Sequence, residues 1–374
     1  MSKTKKAIST LLSTAGVEIN GSNPWDIQVN ENRFYDRILA KGSLGLGESY
    51  MESWWNCEDL SGLFQRLLQG DLHEHAKYIN RSTYALLAVK SKLLNLQSKS
   101  RVFGSGGAVH YNLGNPFYRA MLDPEMVYSC GYWKDADSLN EAQLKKFDLI
   151  CRKLSLKPGM KLLEIGCGWG GFLKYAVQNF GVKATGATIS SEQAALAKDR
   201  CKGLDAEVKL QDYRTLQGHF DRIVSIGMFE HVGPKNYREF MKMAHRCLNP
   251  DGLFLLHTIG GNTSDQYSDP WFDKYIFPDS VIPSIAQIGK SIEGLFKMED
   301  WHNFGPDYDK TLMAWHSNFE SNWSQFKQDM DETFYRMWRY YLLSCAGAFR
   351  ARHVQLWQIV LSPNGVHGGY QNVR

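Results

Sequence analysis

The sequence predicts an α/β fold with helical additions, preceded by a small, mainly helical N-terminal domain. Three observations lead there. From about residue 141 onward, short apolar runs alternate with amphipathic stretches of roughly 10 to 15 residues, the signature of strands and helices wound into a parallel sheet. A glycine-rich loop stands where the first of these strands passes into a helix. Before that region the apolar residues recur at mixed helical spacings.

The early helical region shows Leu63, Phe64, Leu67 and Leu68, then Tyr84, Leu86 and Leu87, at mixed helical spacings between Leu60 and Leu96. The next stretch, KSKLLNLQSKSRVFGSGGAVH, carries Lys90, Lys92, Lys99, Arg101 and His110 without an acid and ends in a Gly/Ser cluster. It reads as a helix end plus linker, giving an N-terminal domain over 1–89, a linker over 90–106 and a catalytic domain over 107–374. Its charge run is a solvated face, or alternatively a contact for phospholipid headgroups.

In EAQLKKFDLICRKL, a helical stripe is formed by Leu144, Phe147, Cys151 and Leu154. A turn at Pro158 and Gly159 leads to a strand from Lys161 to Ile165, the glycine loop and a helix. VKATGATI and AEVKLQ read as strands, with SSEQAALAKDRCKGL as the helix between them, opened by serine. FDRIVSIGMFEHVG, NYREFMKMAHRCL and GLFLLHTIG continue as strand, helix and strand.

Composition narrows the class. The chain has 374 residues, with 43% hydrophobic and 22% charged, the balance of a folded globular protein. No apolar run of about 18 residues could span a bilayer, and MSKTKKAISTLLSTAG is too broken by Ser and Thr for a secretory segment, so a cytoplasmic protein is expected. The seven cysteines form no CxxC pair and no cluster at zinc spacing, which argues against a disulfide framework or a metal. A net charge of +4 is too mild to indicate nucleic acid and would suit a weak encounter with an anionic surface.

In LLEIGCGWGG the glycines are Gly166, Gly168, Gly170 and Gly171. Glycine tolerates positive φ and leaves room for a ligand at the backbone. Dinucleotide folds pair GxGxxG with an acid roughly 20 residues on that reads the ribose. Here the spacing is GxGxGG, Glu164 precedes it, and the next strand end, TGATIS, has no acid. An acid before GxGxG is the pattern of S-adenosylmethionine-dependent methyltransferases of class I, a Rossmann-like fold. Polar groups recur at later strand ends, with Glu230 and His231 in GMFEHVG and His257 in LLHTIG, while Tyr308 falls in the FGPDYD loop. Ligands in open α/β sheets bind outside the carboxyl ends of strands, so these could share a crevice. Taken singly, each such residue is more often structural than catalytic.

The stretches HYNLGNPFYRAMLDPEMVYSCGYW, LEIGCGWGG, GATISSEQ, SIGMFEHVGPKNY, LLHTIG, DPWFDKYIFPD and MEDWHNFGPDYDKTLMAW together resemble the cyclopropane-fatty-acyl-phospholipid synthases. The similarity extends to GSLGLGESYMESWW near the N-terminus. It implies addition of a methylene group from S-adenosylmethionine across a cis double bond of an unsaturated phospholipid acyl chain, through a carbocation that bound bicarbonate deprotonates. By motif, Cys130, Glu230, His257, Tyr308 and the backbone of Ile259 would hold the bicarbonate. Glu230 would accept its OH while the other groups donate.

The cofactor would meet Tyr128, Ser129, Glu164, Gly166, Cys167 and Gly168. It would also meet Thr188, Ile189, Ser190 and Gln193 and, by the adenine, Gln211, Asp212 and Tyr213. Cys345 enters because this motif has been discussed as catalytic in the family. Its setting in RMWRYYLLSCAGAF reads as an apolar helix with no base beside it. The resemblance further implies a homodimer that touches the inner face of the membrane peripherally.

The chain departs from the family pattern at Asn112 and Pro116, where Asp is common, and at Gly131, where Ala is usual. Two other functions remain open at this level. One is ordinary methylation or methyl branching from the same cofactor; the other is a lipid-binding module without turnover.

Overall fold

The structure is a computed structural model, and it describes residues 3–70, 95 and 113–374. The predicted linker over 90–106, with its basic run, lies almost wholly outside the described residues, as do Tyr84, Leu86, Leu87 and Asn112. The molecule comprises two compact units. The first draws on Met1–Asn95, Gln266–Ser280 and Tyr308–Val354, and the second on Leu96–Asp265, Val281–Asp307 and Gln355–Arg374.

The first unit is built on the helices Arg33–Met51, Leu60–Gln69 and Glu332–Arg350, with a two-stranded ribbon of β1 (Gln28–Val29) and β2 (Trp55–Asn56). Asp59 caps the second helix, accepting from the Gly62 N–H at 2.8 Å. The SCAGAF segment owes its small residues to close packing. A Cβ on Gly347 would lie 2.5 Å from the Ser61 carbonyl oxygen, so only glycine lets these two helices approach this far. The buried guanidinium of Arg336 donates to the carbonyls of Tyr50 and Trp55, tying the long helix to the ribbon.

The second unit contains a seven-stranded sheet. Its strands are β3 (Lys161–Ile165), β4 (Lys183–Thr188), β5 (Ala206–Leu210), β6 (Phe220–Ile226), β7 (Leu248–Gly261), β8 (Lys297–Asn303) and β9 (Val354–Ser362), in the order β5-β4-β3-β6-β7-β9-β8. Strands β3 to β7 pair in parallel, and β8 pairs with β9 antiparallel. The five parallel strands are those the sequence predicts. The antiparallel pair has no counterpart in the sequence reading, because β8 (KMEDWHN) is polar and β9 follows directly on a long helix.

Apolar side chains cover both faces of the sheet. One cluster gathers Leu163, Ile223, Phe240, Phe254 and Trp357, and another Leu162, Phe172, Val224, Leu255 and Val360. Residues 163 and 162, or 223 and 224, thus point to opposite faces, as a pleated strand buried on both sides requires. The strand order reverses between β3 and β6, with β4 on one side of β3 and β6 on the other. At such a switch point the loops leaving adjacent strands part and open a crevice at the carboxyl ends.

Candidate active site

The glycine loop leaves β3 at this switch point. Gly166, Gly168 and Gly170 have φ of +83°, +51° and +82°, values that L side chains rarely adopt. The turn is held from β4, whose Ala187 carbonyl accepts from the N–H groups of Gly166 and Cys167 at 2.9 and 3.0 Å. A Cβ on Gly166 would stand 2.9 Å from Met228, whereas one on Gly168 would meet nothing within 4 Å. Gly168 therefore borders open space, which is where a ligand would approach the backbone. The helix Gly171–Phe180 then begins, with its N-terminus behind the loop.

At the end of β4, Thr188 and Gln193 form one unit: the Thr188 hydroxyl donates to Gln193 Oε1 at 2.9 Å. Ser190 caps the following helix, accepting from the Gln193 N–H at 3.3 Å. Ile189 between them is 38% exposed, an apolar side chain at the rim of the crevice. After β5, the Gln211 N–H donates to the Thr188 carbonyl at 2.9 Å, which sets the two strand ends side by side. Asp212 is buried, accepts from the Arg214 N–H at 2.8 Å, and pairs with the Arg214 guanidinium at 2.9 Å. Tyr213 packs on Phe240 at 5.2 Å, and burial pushes its phenol upward in pKa.

The loop after β6 carries the next group. Gly227 donates its N–H to the His257 carbonyl at 2.9 Å, and a Cβ on Gly227 would stand 3.5 Å from Ser129. Segment Tyr128–Cys130 is thereby brought beside the switch point. Tyr128 stacks edge-on against Tyr118 at 5.4 Å, and Cys130 is wholly buried, its thiol donating to the Gly131 carbonyl at 3.1 Å. Trp133 donates its N–H to Asp307 at 2.8 Å, which anchors the end of the segment.

Glu230 and His257 are two groups whose bonding is incomplete; Glu164 Oε2, the Tyr213 hydroxyl, Gln143 Oε1 and Gln358 Oε1 are likewise buried without a hydrogen-bond partner among the described residues. Glu230 Oε1 accepts from the Ile259 N–H at 2.7 Å, while Oε2 is buried with no hydrogen-bond partner among the described residues. Burial raises the pKa of this carboxyl above the ordinary value. Burial drives His257 well below its ordinary value, with Lys146 and Lys153 adding repulsion, so the ring is neutral. The Gln358 amide nitrogen lies 3.3 Å from His257 Nδ1. With the amide as donor, the ring proton is assigned to Nε2, which is buried and without a hydrogen-bond partner among the described residues. A buried acceptor after β6 and a buried donor on β7, the neighbouring strand, are thus both unsatisfied.

The remaining expected residues fall differently. Tyr308 belongs to the first unit, where it lies buried at 4.6 Å from Phe349 and 5.9 Å from Trp315. Cys345 is also in the first unit, on the helix Glu332–Arg350, and burial pushes its thiol up to about 12. That shift keeps it protonated, the reverse of what a nucleophile needs. Glu164 is buried at the end of β3, with its carboxyl raised to about 8 by burial and Lys146 acting against the rise.

Lys146, Gln143 and Gln358 were absent from the sequence reading. Lys146 and Gln143 fall outside the apolar stripe assigned to their helix, and nothing in one sequence distinguishes such residues from solvated ones.

A parallel sheet with a glycine turn at the switch point, hydroxyl and amide at the next strand end, and an acid beyond it defines a class I S-adenosylmethionine-dependent methyltransferase. The pattern of the mycolic acid cyclopropane synthetase family matches residues 99–359. The chain is 52% identical over 364 residues to the cyclopropane-fatty-acyl-phospholipid synthase of Escherichia coli (strain K12), covering 97% of this chain and 94% of that one. It belongs to this cyclopropane synthase family and is a ring-forming enzyme dependent on S-adenosylmethionine.

Among solved structures, the cyclopropane synthase MmaA2 from Mycobacterium tuberculosis aligns with a TM-score of 0.64 at 35% identity, over 67% of this chain and 95% of that chain. The mycolic acid cyclopropane synthase CmaA1, solved with SAH and CTAB, aligns at 0.63 and 34% identity over 67% of this chain and 95% of that chain. Coclaurine N-methyltransferase shares the fold alone, with a TM-score of 0.67 at 22% identity over 85% of this chain and 97% of its own.

Proposed function

We infer that the protein adds the methyl carbon of S-adenosylmethionine to the cis double bond of unsaturated phospholipid acyl chains and closes it to a cyclopropane, with bicarbonate held at Glu230 and His257. The observation that carries the anion site is the pair of unsatisfied buried groups, Glu230 Oε2 and His257 Nε2. Leaving both unpaired would cost about 1–3 kcal/mol each, so a small molecule with one OH to donate and one oxygen to accept suits them. Bicarbonate has both. Bound there, it would supply the base that removes a proton from the transferred methyl group.

The chain's own residues do the rest. The alkene's π electrons form a new C–C bond to the sulfonium methyl as the C–S bond breaks, leaving a positive charge on the lipid. An alkene is a poor nucleophile, so the alignment of donor and acyl chain supplies much of the rate. The glycine loop, Thr188 with Gln193, and Asp212 hold the donor, while Glu230 and His257 hold the proton acceptor beside the developing charge. Cys130 forms part of the wall of this site. Among the described residues no helix is long and apolar enough to cross a membrane. In this reading the enzyme works from the cytoplasm as a homodimer that meets the inner membrane face peripherally.

The test is incubation with labelled S-adenosylmethionine and vesicles of unsaturated phospholipid, followed by mass analysis of the acyl chains. The expected product gains one CH2 for each double bond lost, without added reductant. A product methylated on oxygen or nitrogen, or a methyl-branched chain, would overturn the reading. Depleting bicarbonate should slow turnover reversibly; a rate indifferent to it would assign the base to a side chain.

A further inference from the structure

Two buried polar side chains have no place in the chemistry so far. Gln143 and Lys146 lie three residues apart on the helix Leu139–Lys153, hence on one face, and both are fully buried. They reach the same residue. Gln143 Nε2 donates to the Ser129 carbonyl at 2.8 Å, and Lys146 Nζ donates to the Ser129 hydroxyl at 2.8 Å. Lysine is almost never fully buried, because its ammonium loses hydration there. Burial pulls Lys146 down to about 7, although Cys130, Asp123 and Glu164 are near enough to favour its charge. Packing alone would be served as well by methionine.

The arrangement has a consequence for the hydroxyl. Lys146 Nζ donates to Ser129 Oγ, and in its ammonium form, which Asp123 and Glu164 favour, it offers donors only, so Ser129 Oγ accepts from it. The serine's own proton is then left to be donated elsewhere. Ser129 sits beside Gly227, in the loop whose Met228 abuts Gly166. The ribose and adenine of the cofactor belong at Thr188 with Gln193 and at Asp212 with Tyr213, beyond β3. What remains for Ser129 is the amino-acid end, whose carboxylate accepts hydrogen bonds and is drawn to a cation behind the serine.

We propose that Lys146 is a positioning residue that acts through Ser129, fixing its hydroxyl as a donor to the carboxylate of the cofactor's methionine moiety. The proposal rests on the cofactor site described above and is independent of the ring chemistry.

Calorimetric binding of two ligands to the full chain tests it. S-adenosylhomocysteine carries the carboxylate, and methylthioadenosine keeps the adenosine and thioether but lacks the amino acid. Failure of the unaltered protein to bind S-adenosylhomocysteine would sink the cofactor site itself. Lys146→Met should weaken S-adenosylhomocysteine by about tenfold and leave methylthioadenosine within about twofold. Equal loss of both ligands would make Lys146 merely structural and overturn the proposal. Lys146→Gln keeps a neutral donor and carries the same comparison if the methionine variant does not fold; its selective loss should be smaller. Ser129→Ala should reproduce the selective loss, and combining it with Lys146→Met should add little. Additive losses would overturn the coupling.

Discussion

The two sides of the switch point differ in how far their polar side chains are bonded. On the β4 and β5 side most expected cofactor residues have partners: Thr188 bonds Gln193, Ser190 caps its helix, and Asp212 pairs with Arg214, while the buried Tyr213 hydroxyl has none among the described residues. On the β6 and β7 side Glu230 and His257 each keep a buried polar atom unpaired among the described residues. The difference separates recognition from chemistry. A large ligand can be read by backbone and by preorganised side chains that already have partners. A small anion must be captured by groups that have none, and the protein carries that cost in stability.

The largest expected effect tests the unsatisfied side. Glu230→Gln replaces an acceptor with an amide that cannot take the anion's proton in the same way. Ring formation should fall by about 10²-fold or more while S-adenosylhomocysteine binding stays near normal. Equal loss of turnover and binding would erase the distinction between the two sides.

Next comes the pH dependence. Burial raises the Glu230 carboxyl, so its ionised form is present above that raised value and lost as pH falls through it. The acid limb of turnover should therefore lie above the ordinary carboxylate range, and it should vanish in Glu230→Gln if residual activity can be measured. An acid limb unchanged in that variant would assign it to another group.

Cys130→Ser should act more mildly. A residue that walls the site leaves measurable activity after this change, roughly a tenth of the original, whereas a nucleophile would be nearly abolished. Product analysis at saturating cofactor distinguishes the two.

The smallest effect belongs to the satisfied side. Gly166→Ala places a Cβ at φ +83° and 2.9 Å from Met228. Strain of about 1–2 kcal/mol should appear as weaker cofactor binding, with turnover at saturation much less affected. A turnover defect matching that of Glu230→Gln would show that the loop also shapes the reacting end.

Much of the sheet unit was legible in the sequence because its signals are local. Strands β3, β6 and β7 carry apolar runs, β4 and β5 are short stretches between turn and helix signals, the helices between them have caps or periodic stripes, and the glycine loop follows its strand directly. The antiparallel pair was not legible. Polar KMEDWHN becomes a strand only because β9 lies beside it, and this partner is more than 50 residues further along the chain. At Gly131 a Cβ would lie 2.9 Å from the Ala142 side chain, a crowding visible only in space.

The sequence by itself determined the α/β class and the S-adenosylmethionine cofactor, while Cys130, Glu230, His257 and Tyr308 are what its family resemblance implies for the site. Local propensity, glycine chemistry and short-range spacing are properties of contiguous residues, so they survive in a string of letters. Only the tertiary structure decided that YSCGYW is pinned from behind by Lys146 and Gln143, and that Glu230 Oε2 and His257 Nε2 lack partners among the described residues. Burial and hydrogen-bond satisfaction depend on what the fold brings alongside a group, and for these residues the deciding neighbours are distant in sequence.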